Sequence, residues 1–187
     1  MSTENQIFEK IDFTSAKLTK GEYENCTFKN CNFYNSDLSG FIFRECNFDG
    51  CDLSLVKMKQ TTLYDISFLN CKLLGIQFHE CNSFLFSVTF DNCILKMSVF
   101  YKFKLKKYRF KNCNLQEADF TEADLSGSLF DNCDLQRAIF YNTNLEKTDF
   151  TASYNYSFDP ERNRIKKARF SKSGVIGLLA KYNIEIE

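Results

Sequence analysis

The sequence predicts an all-β fold in which a single chain winds around four short sides as a parallel β-helix. Three observations predict it: a bulky apolar residue at every fifth position, a small residue two places before it, and very little of the Gly and Pro that hairpins need. At a shift of five, apolar residues recur without a miss from Phe8 through Phe13, Leu18, Tyr23 and Phe28 to Phe78. They recur again from Leu85 through Phe90, Leu95, Phe100 and Leu105 to Phe150, where Leu and Phe alternate.

A period of five excludes the usual elements. Five residues advance an α-helix by about 500°, so these side chains would not share a face. In a straight strand an odd period sends them to opposite faces. All of them point inward only if the chain turns a corner once per repeat, and four such sides make a coil of about twenty residues. The position two before the central one then faces inward too, and it is mostly small: Ala16, Cys26, Cys31, Ser36, Cys46 and Cys51, and later Ala118, Ala123, Ser128, Cys133 and Thr143. The residue just before the central one is often Asp or Asn (Asp12, Asn32, Asp37, Asn47, Asp52, Asn114, Asp119, Asp124, Asp134, Asn144, Asp149), which suits side-chain bonding to local backbone in a turn. With 21 Phe, no Trp, one Pro and seven Gly, these corners replace ordinary hairpins.

Stretches such as Ala118-Asp119-Phe120-Thr121-Glu122, Ala123-Asp124-Leu125-Ser126-Gly127 and Cys133-Asp134-Leu135-Gln136-Arg137 resemble the repeat of the pentapeptide-repeat family. The resemblance covers about four-fifths of the chain and implies a right-handed quadrilateral parallel β-helix. One coil cannot bury enough surface alone, so stability must come from stacking neighbours.

The chain reads as one domain, 1–187, with repeats over 6–78 and 83–150, a two-residue slip at 79–84, an imperfect final coil over 151–170 and a cap over 171–187. Within the cap, Val175, Ile176, Leu178, Leu179 and Tyr182 predict a short amphipathic helix, and Asn183 to Glu187 a strand. The cap residues leave one apolar face beyond what closes the coil, which predicts a homodimer through Val175, Ile176, Leu178, Leu179 and Tyr182. The family resemblance includes dimers joined at this end.

Candidate chemistry is sparse. All nine cysteines fall on the small inward position and recur at about twenty residues, which reads as stacked core thiols and not a metal or disulfide set. His79, beside Glu80 and Cys81 at the slip, is the one conceivable general base, and its expected role is an exposed loop histidine. No catalytic residue, cofactor or metal is expected. The stretch Lys96 to Lys111 carries seven cations and no acid, yet one coil later Glu122 faces Lys102, Asp124 faces Lys104 and Asp131 faces Lys111. Cross-rung ion pairs are therefore expected, and direct nucleic-acid binding is not.

Twenty-four basic residues balance twenty-four acidic ones, so no global field draws the chain to nucleic acid or membrane. The absence of an apolar span or signal segment predicts a cytoplasmic protein without membrane insertion. Pentapeptide-repeat proteins of the Qnr and microcin-immunity type protect DNA gyrase and topoisomerase IV by DNA mimicry. The resemblance thus implies a non-enzymatic binding protein with a type II topoisomerase as partner, touched through the acidic residues Glu117, Asp119, Glu122, Asp124 and Asp131. The alternative is a β-helical scaffold for another protein partner.

Overall fold

A computed structural model describes residues 2–185. The chain is a parallel β-solenoid, and its longest ladder runs Ile7–Glu9, Thr27–Lys29, Asn47–Asp49, Ile66–Leu69, Val88–Asp91, Arg109–Lys111, Leu129–Asp131. A second sheet joins Ser2–Glu4, Glu22–Glu24, Ile42–Arg44 and Thr62–Tyr64. The other sides are held by single parallel bridges, such as Asn32 with Asp52 and Asp119 with Ile139.

Each central residue stacks on its equivalent one coil away. Phe8, Phe28, Phe48, Phe68, Phe90, Phe110, Phe130, Phe150 and Phe170 form one column, with successive rings such as Phe28 and Phe48 4.7 Å apart and nearly parallel. A second column runs through Phe78, Phe100, Phe120 and Phe140. The two columns meet edge to face, as between Phe110 and Phe120, an arrangement that suits the ring quadrupoles.

Ten of the Asp and Asn residues placed before a central position act as the sequence predicts. Asp37, for example, accepts from the Ser39 backbone N–H at 2.9 Å, and Asp119 from that of Thr121 at 2.8 Å. The exception is Asn47, which lies inside a strand. Two residues past the central one, the chain takes a left-handed conformation at nearly every corner. Asn holds many of these positions, including Asn25, Asn30, Asn35 and Asn132, with φ between 50° and 53°. Asn tolerates this region because its side chain bonds locally. Asn25 and Asn132 also donate to Asn5 and Asn112 of the preceding coil, at 2.6 and 2.9 Å. Leu55 and Met97 accept the same positive φ without that compensation.

The small inward residue does more than leave room. The hydroxyls of Thr61, Ser128, Thr143, Thr148 and Ser153 donate to the carbonyls of Leu38, Leu105, Phe120, Leu125 and Phe130 at 2.6 to 2.9 Å. The Cys46, Cys71 and Cys93 thiols make the same contact to Tyr23, Phe48 and Phe68, each at 3.3 Å. The acceptor is the central residue of the preceding coil, so a short donor at this site ties successive corners together inside the core.

Three expectations change. The central register resumes at Phe90, paired with Phe68, and not at Leu85. The extra residues are taken up by two 3-10 turns, Phe78–Glu80 and Ser83–Leu85. Leu85 and Phe86 are both half-buried, and it is Phe86 that packs against the core, edge-on to Phe103 at 4.7 Å. The cap is not an amphipathic α-helix but the 3-10 turns Gly174–Leu178 and Ala180–Tyr182. A Cβ at Gly177 would overlap the Tyr156 carbonyl oxygen, so the cap backbone lies directly on the last coil. Asn183 then turns left-handed (φ 50°), and Asn183 to Glu185 form no strand; 186–187 lie outside the described residues. Finally, Ala16 and Leu18 do not close the first coil. Ala16 is exposed and Leu18 half-buried, because the Ala16 N–H bonds back to the Asp12 carbonyl in a wider turn.

All nine cysteines are free and buried. Burial pushes the thiols of Cys46, Cys81 and Cys93 up to about 12. Thiolate is the reactive form, so a thiol reagent at pH 8 should modify the native protein very slowly, then titrate all nine cysteines once denaturant is added. Reductant should leave the melting temperature unchanged. Fewer than nine titratable thiols would contradict the stacked-core reading.

Candidate binding surface

The basic stretch and the acidic coil above it are brought together, but diagonally. Lys102 meets Glu122 at 3.5 Å, as the register predicts. Asp124 instead pairs with Lys106 at 3.3 Å, and not Lys104, because its carboxylate is drawn toward the Ser126 N–H and so leans over the position where Lys106 stands. Asp131 pairs with Arg109 at 2.6 Å, since Lys111 turns to Asp91 of the preceding coil at 2.8 Å. Glu117 meets Lys96 at 3.3 Å. Of the five acids singled out, only Asp119 has no cation within ion-pair distance among the described residues, and it is bonded to the Thr121 N–H. Lys104 and Lys107 are the two cations of the stretch left without a carboxylate among the described residues.

The two readings of the slip separate clearly. Cys81 is buried with its thiol pushed up by desolvation, which is the reverse of an activated nucleophile. His79 is half-buried, not exposed, with its ring edge-on to Tyr101 and its Nδ1 buried without a hydrogen-bond partner. What projects is Phe84, 88% exposed, at the tip of the Ser83–Leu85 turn. Asn82 fixes that turn by accepting from the Phe84 N–H at 3.1 Å, and the turn packs on the Thr62–Tyr64 strand. Sequence spacing located the insertion. It gave no sign that the Phe beside Leu85 faces water, since both residues are equally apolar.

At the cap the five predicted interface residues part company. Leu178 is buried in its own chain and Leu179 half-buried, while Val175 and Ile176 are 41% and 49% exposed. Tyr182 is exposed, with its hydroxyl donating to Glu161 at 3.2 Å. Lys181 reaches both Asp159 and Glu161 at 2.7 Å, which pins the cap to the Pro160–Arg162 turn. Those two carboxylates hold the Lys181 ammonium strongly in its charged form. Among the described residues no helix is long and apolar enough to cross a membrane, and no cluster of three or more His, Cys, Asp or Glu could hold a metal.

The family profile described as a pentapeptide repeat region matches residues 22–84 and 83–154, well over half of the chain. The chain belongs to the pentapeptide-repeat family. Among curated proteins none is significantly similar to it in sequence. Among solved structures, this pentapeptide-repeat protein is similar to full-length QnrB1, a plasmid-mediated fluoroquinolone resistance protein, at 21% identity over 98% of this chain and 100% of that one, with a TM-score of 0.43. It is also similar to HetL, a pentapeptide-repeat protein involved in heterocyst differentiation regulation from the cyanobacterium Nostoc sp. strain PCC 7120, at 13% identity over 90% and 87% of the two chains, with a TM-score of 0.36.

Proposed function

We propose that this pentapeptide-repeat protein is a non-enzymatic, protein-binding rod. The observation that carries the reading is Phe84, a large aromatic side chain 88% exposed on a turn whose backbone is fixed by Asn82. A rigid, solvated aromatic is a typical anchor of a protein interface. Lys104 and Lys107, which meet no carboxylate among the described residues, stand about one coil further on, while the buried polar groups of the regular coils serve the rod itself.

The partner implied by the family resemblance is a type II topoisomerase, and QnrB1 carries the description of a fluoroquinolone resistance protein. In a DNA gyrase supercoiling assay poisoned with a fluoroquinolone, the protein is expected to restore supercoiling. Phe84→Asp should raise the concentration required by roughly tenfold or more, as loss of an interface anchor does. No relief at any concentration would reject gyrase as the partner. One feature favours the alternative, a scaffold for another protein: four of the five acids of the supposed DNA-like surface are neutralised by the neighbouring coil.

We also propose that two copies join cap to cap through Val175 and Ile176. Leu178 contributes to each copy's own core and not to the junction.

A further inference from the structure

The first coil is open on one side. Between the Phe13 N–H bond to Asn32 and the Ile42 N–H bond to Gly21, no backbone hydrogen bond joins residues 14–20 to residues 34–40 among the described residues. In the next coil this side is regular: Leu38 N–H donates to Lys57 and Gly40 N–H to Lys59, both at 2.9 Å. The Asp37 N–H and the Asp37 and Ser39 carbonyls, which a regular first coil would meet, therefore face a gap. That gap is a cavity of about 940 Å³. Its floor is apolar, formed by Phe13, Leu18, Phe33, Leu38 and Phe41. Ser36 lines it and breaks a rule kept elsewhere. At this position the hydroxyls of Thr61, Ser128 and Thr143 each donate to a carbonyl of the preceding coil, whereas the Ser36 Oγ is buried with no partner. On the rim stand Lys17 and Lys20, neither within ion-pair distance of a carboxylate among the described residues. The acids of the wall are otherwise engaged, Asp37 with the Ser39 N–H and Asp52 with the Ser54 N–H and Lys72.

We propose that this opening is a docking groove for an extended, acidic segment of a partner protein, which enters as an added strand beside residues 34–39. Only a polypeptide offers N–H donors and C=O acceptors at the spacing of an open sheet edge, and unpaired edges are templates for such pairing. A partner carbonyl takes the Ser36 hydroxyl, as coil carbonyls do elsewhere in the rod. An apolar side chain of the segment packs on the half-exposed Leu18, and flanking carboxylates reach Lys17 and Lys20. Two ammonium groups with no ion-pair partner among the described residues, beside an apolar floor, select an acidic over a basic segment. This deepens the protein-binding reading and rests on it, but does not depend on gyrase being the partner.

The test uses the full chain and two pooled libraries of acetylated seven-residue peptides, each with a central Leu, one with Glu and the other with Lys at the flanking positions. Backbone amide exchange and resonances are followed by NMR. In the free protein the Asp37 amide should exchange much faster than that of Lys57, its equivalent one coil on, which donates to the Ser36 carbonyl. The Glu library should slow it and shift the Ser36 and Asp37 resonances, while the Lys library should not. Ser36→Ala should weaken binding several-fold, and Lys17→Glu with Lys20→Glu should abolish it with the circular dichroism spectrum unchanged. The proposal is overturned if the Asp37 amide of the free protein is as protected as that of Lys57, because the groove is then closed. It is overturned equally if neither library shifts these resonances, or if both do so alike. A protein that leaves gyrase unaffected yet binds the Glu library keeps this inference and loses only the topoisomerase assignment.

Discussion

Replacing Phe120 with alanine should destabilise the protein by about 3–5 kcal/mol, the range for emptying a well-packed aromatic site. Phe120 is fully buried. It stacks on Phe100 and Phe140 at 5.0 and 5.2 Å and meets Phe110 and Phe130 edge-on at 6.0 and 5.9 Å. None of these neighbours can move into the space, because each is held by its own coil's ladder. Glu117→Gln, three residues away, should cost under about 0.5 kcal/mol, since it removes one half-exposed ion pair with Lys96. Gln is the right comparison, as it keeps a side chain at the left-handed corner where Glu117 has φ 58°. Urea denaturation of both variants measures the difference, and equal losses would mean that the inward and outward positions are misassigned.

Changing Val175 and Ile176 together to Glu should convert a dimer into a monomer. Light scattering at tens of micromolar should give the unmodified protein a mass of about twice the 21.9 kDa chain, and the double variant the single-chain mass. The expectation follows from how the cap is seated. Gly174 and Gly177 press against Tyr156, and Leu178 drops into the core. That leaves Val175 and Ile176 as adjacent apolar residues facing away from the rod, and a twofold contact buries both pairs at once. Leu178 is unsuitable for this test, because its replacement would damage the chain's own packing. A monomeric unmodified protein would refute the junction.

The solenoid itself was legible because its cause is periodic. A requirement that repeats every five residues leaves a mark that composition noise cannot hide, and the Asp and Asn before the central residue announced their turns at ten positions. What the sequence hid is aperiodic. At 83–86 four residues solve a local packing problem once, and nothing in the letters ranks Phe86 over Leu85 as the one that turns inward. The terminal segment has helical spacing, but two glycines seated on Tyr156 demand a tighter winding than an α-helix gives. Two ion pairs fall two residues from the expected cation, one because Asp124 bonds the Ser126 N–H and leans toward Lys106, the other because Lys111 turns to Asp91 and leaves Asp131 to Arg109. At Leu18 the repeat is perfect and the side is still open, since the Ala16 N–H bonds back to the Asp12 carbonyl and takes this stretch out of the ladder, which the apolar period does not record.

The alternation of Phe and Leu between Phe90 and Phe150 bears on how the chain avoids mis-threading. Any closed turn made of whole repeats would bring one central residue over another, so the period of five alone does not forbid turns of three or five repeats. Alternation does. A loop closed after three or five repeats would set every Phe against a Leu, whereas closure after four returns Phe110 to Phe90 and Leu115 to Leu95, ring on ring and branch on branch. Wrong closures would lose the matched stacking along the whole array at once and not at a single contact. A nascent turn that counts wrongly is thereby penalised by every later turn laid on it, which biases an otherwise degenerate repeat toward a single winding number.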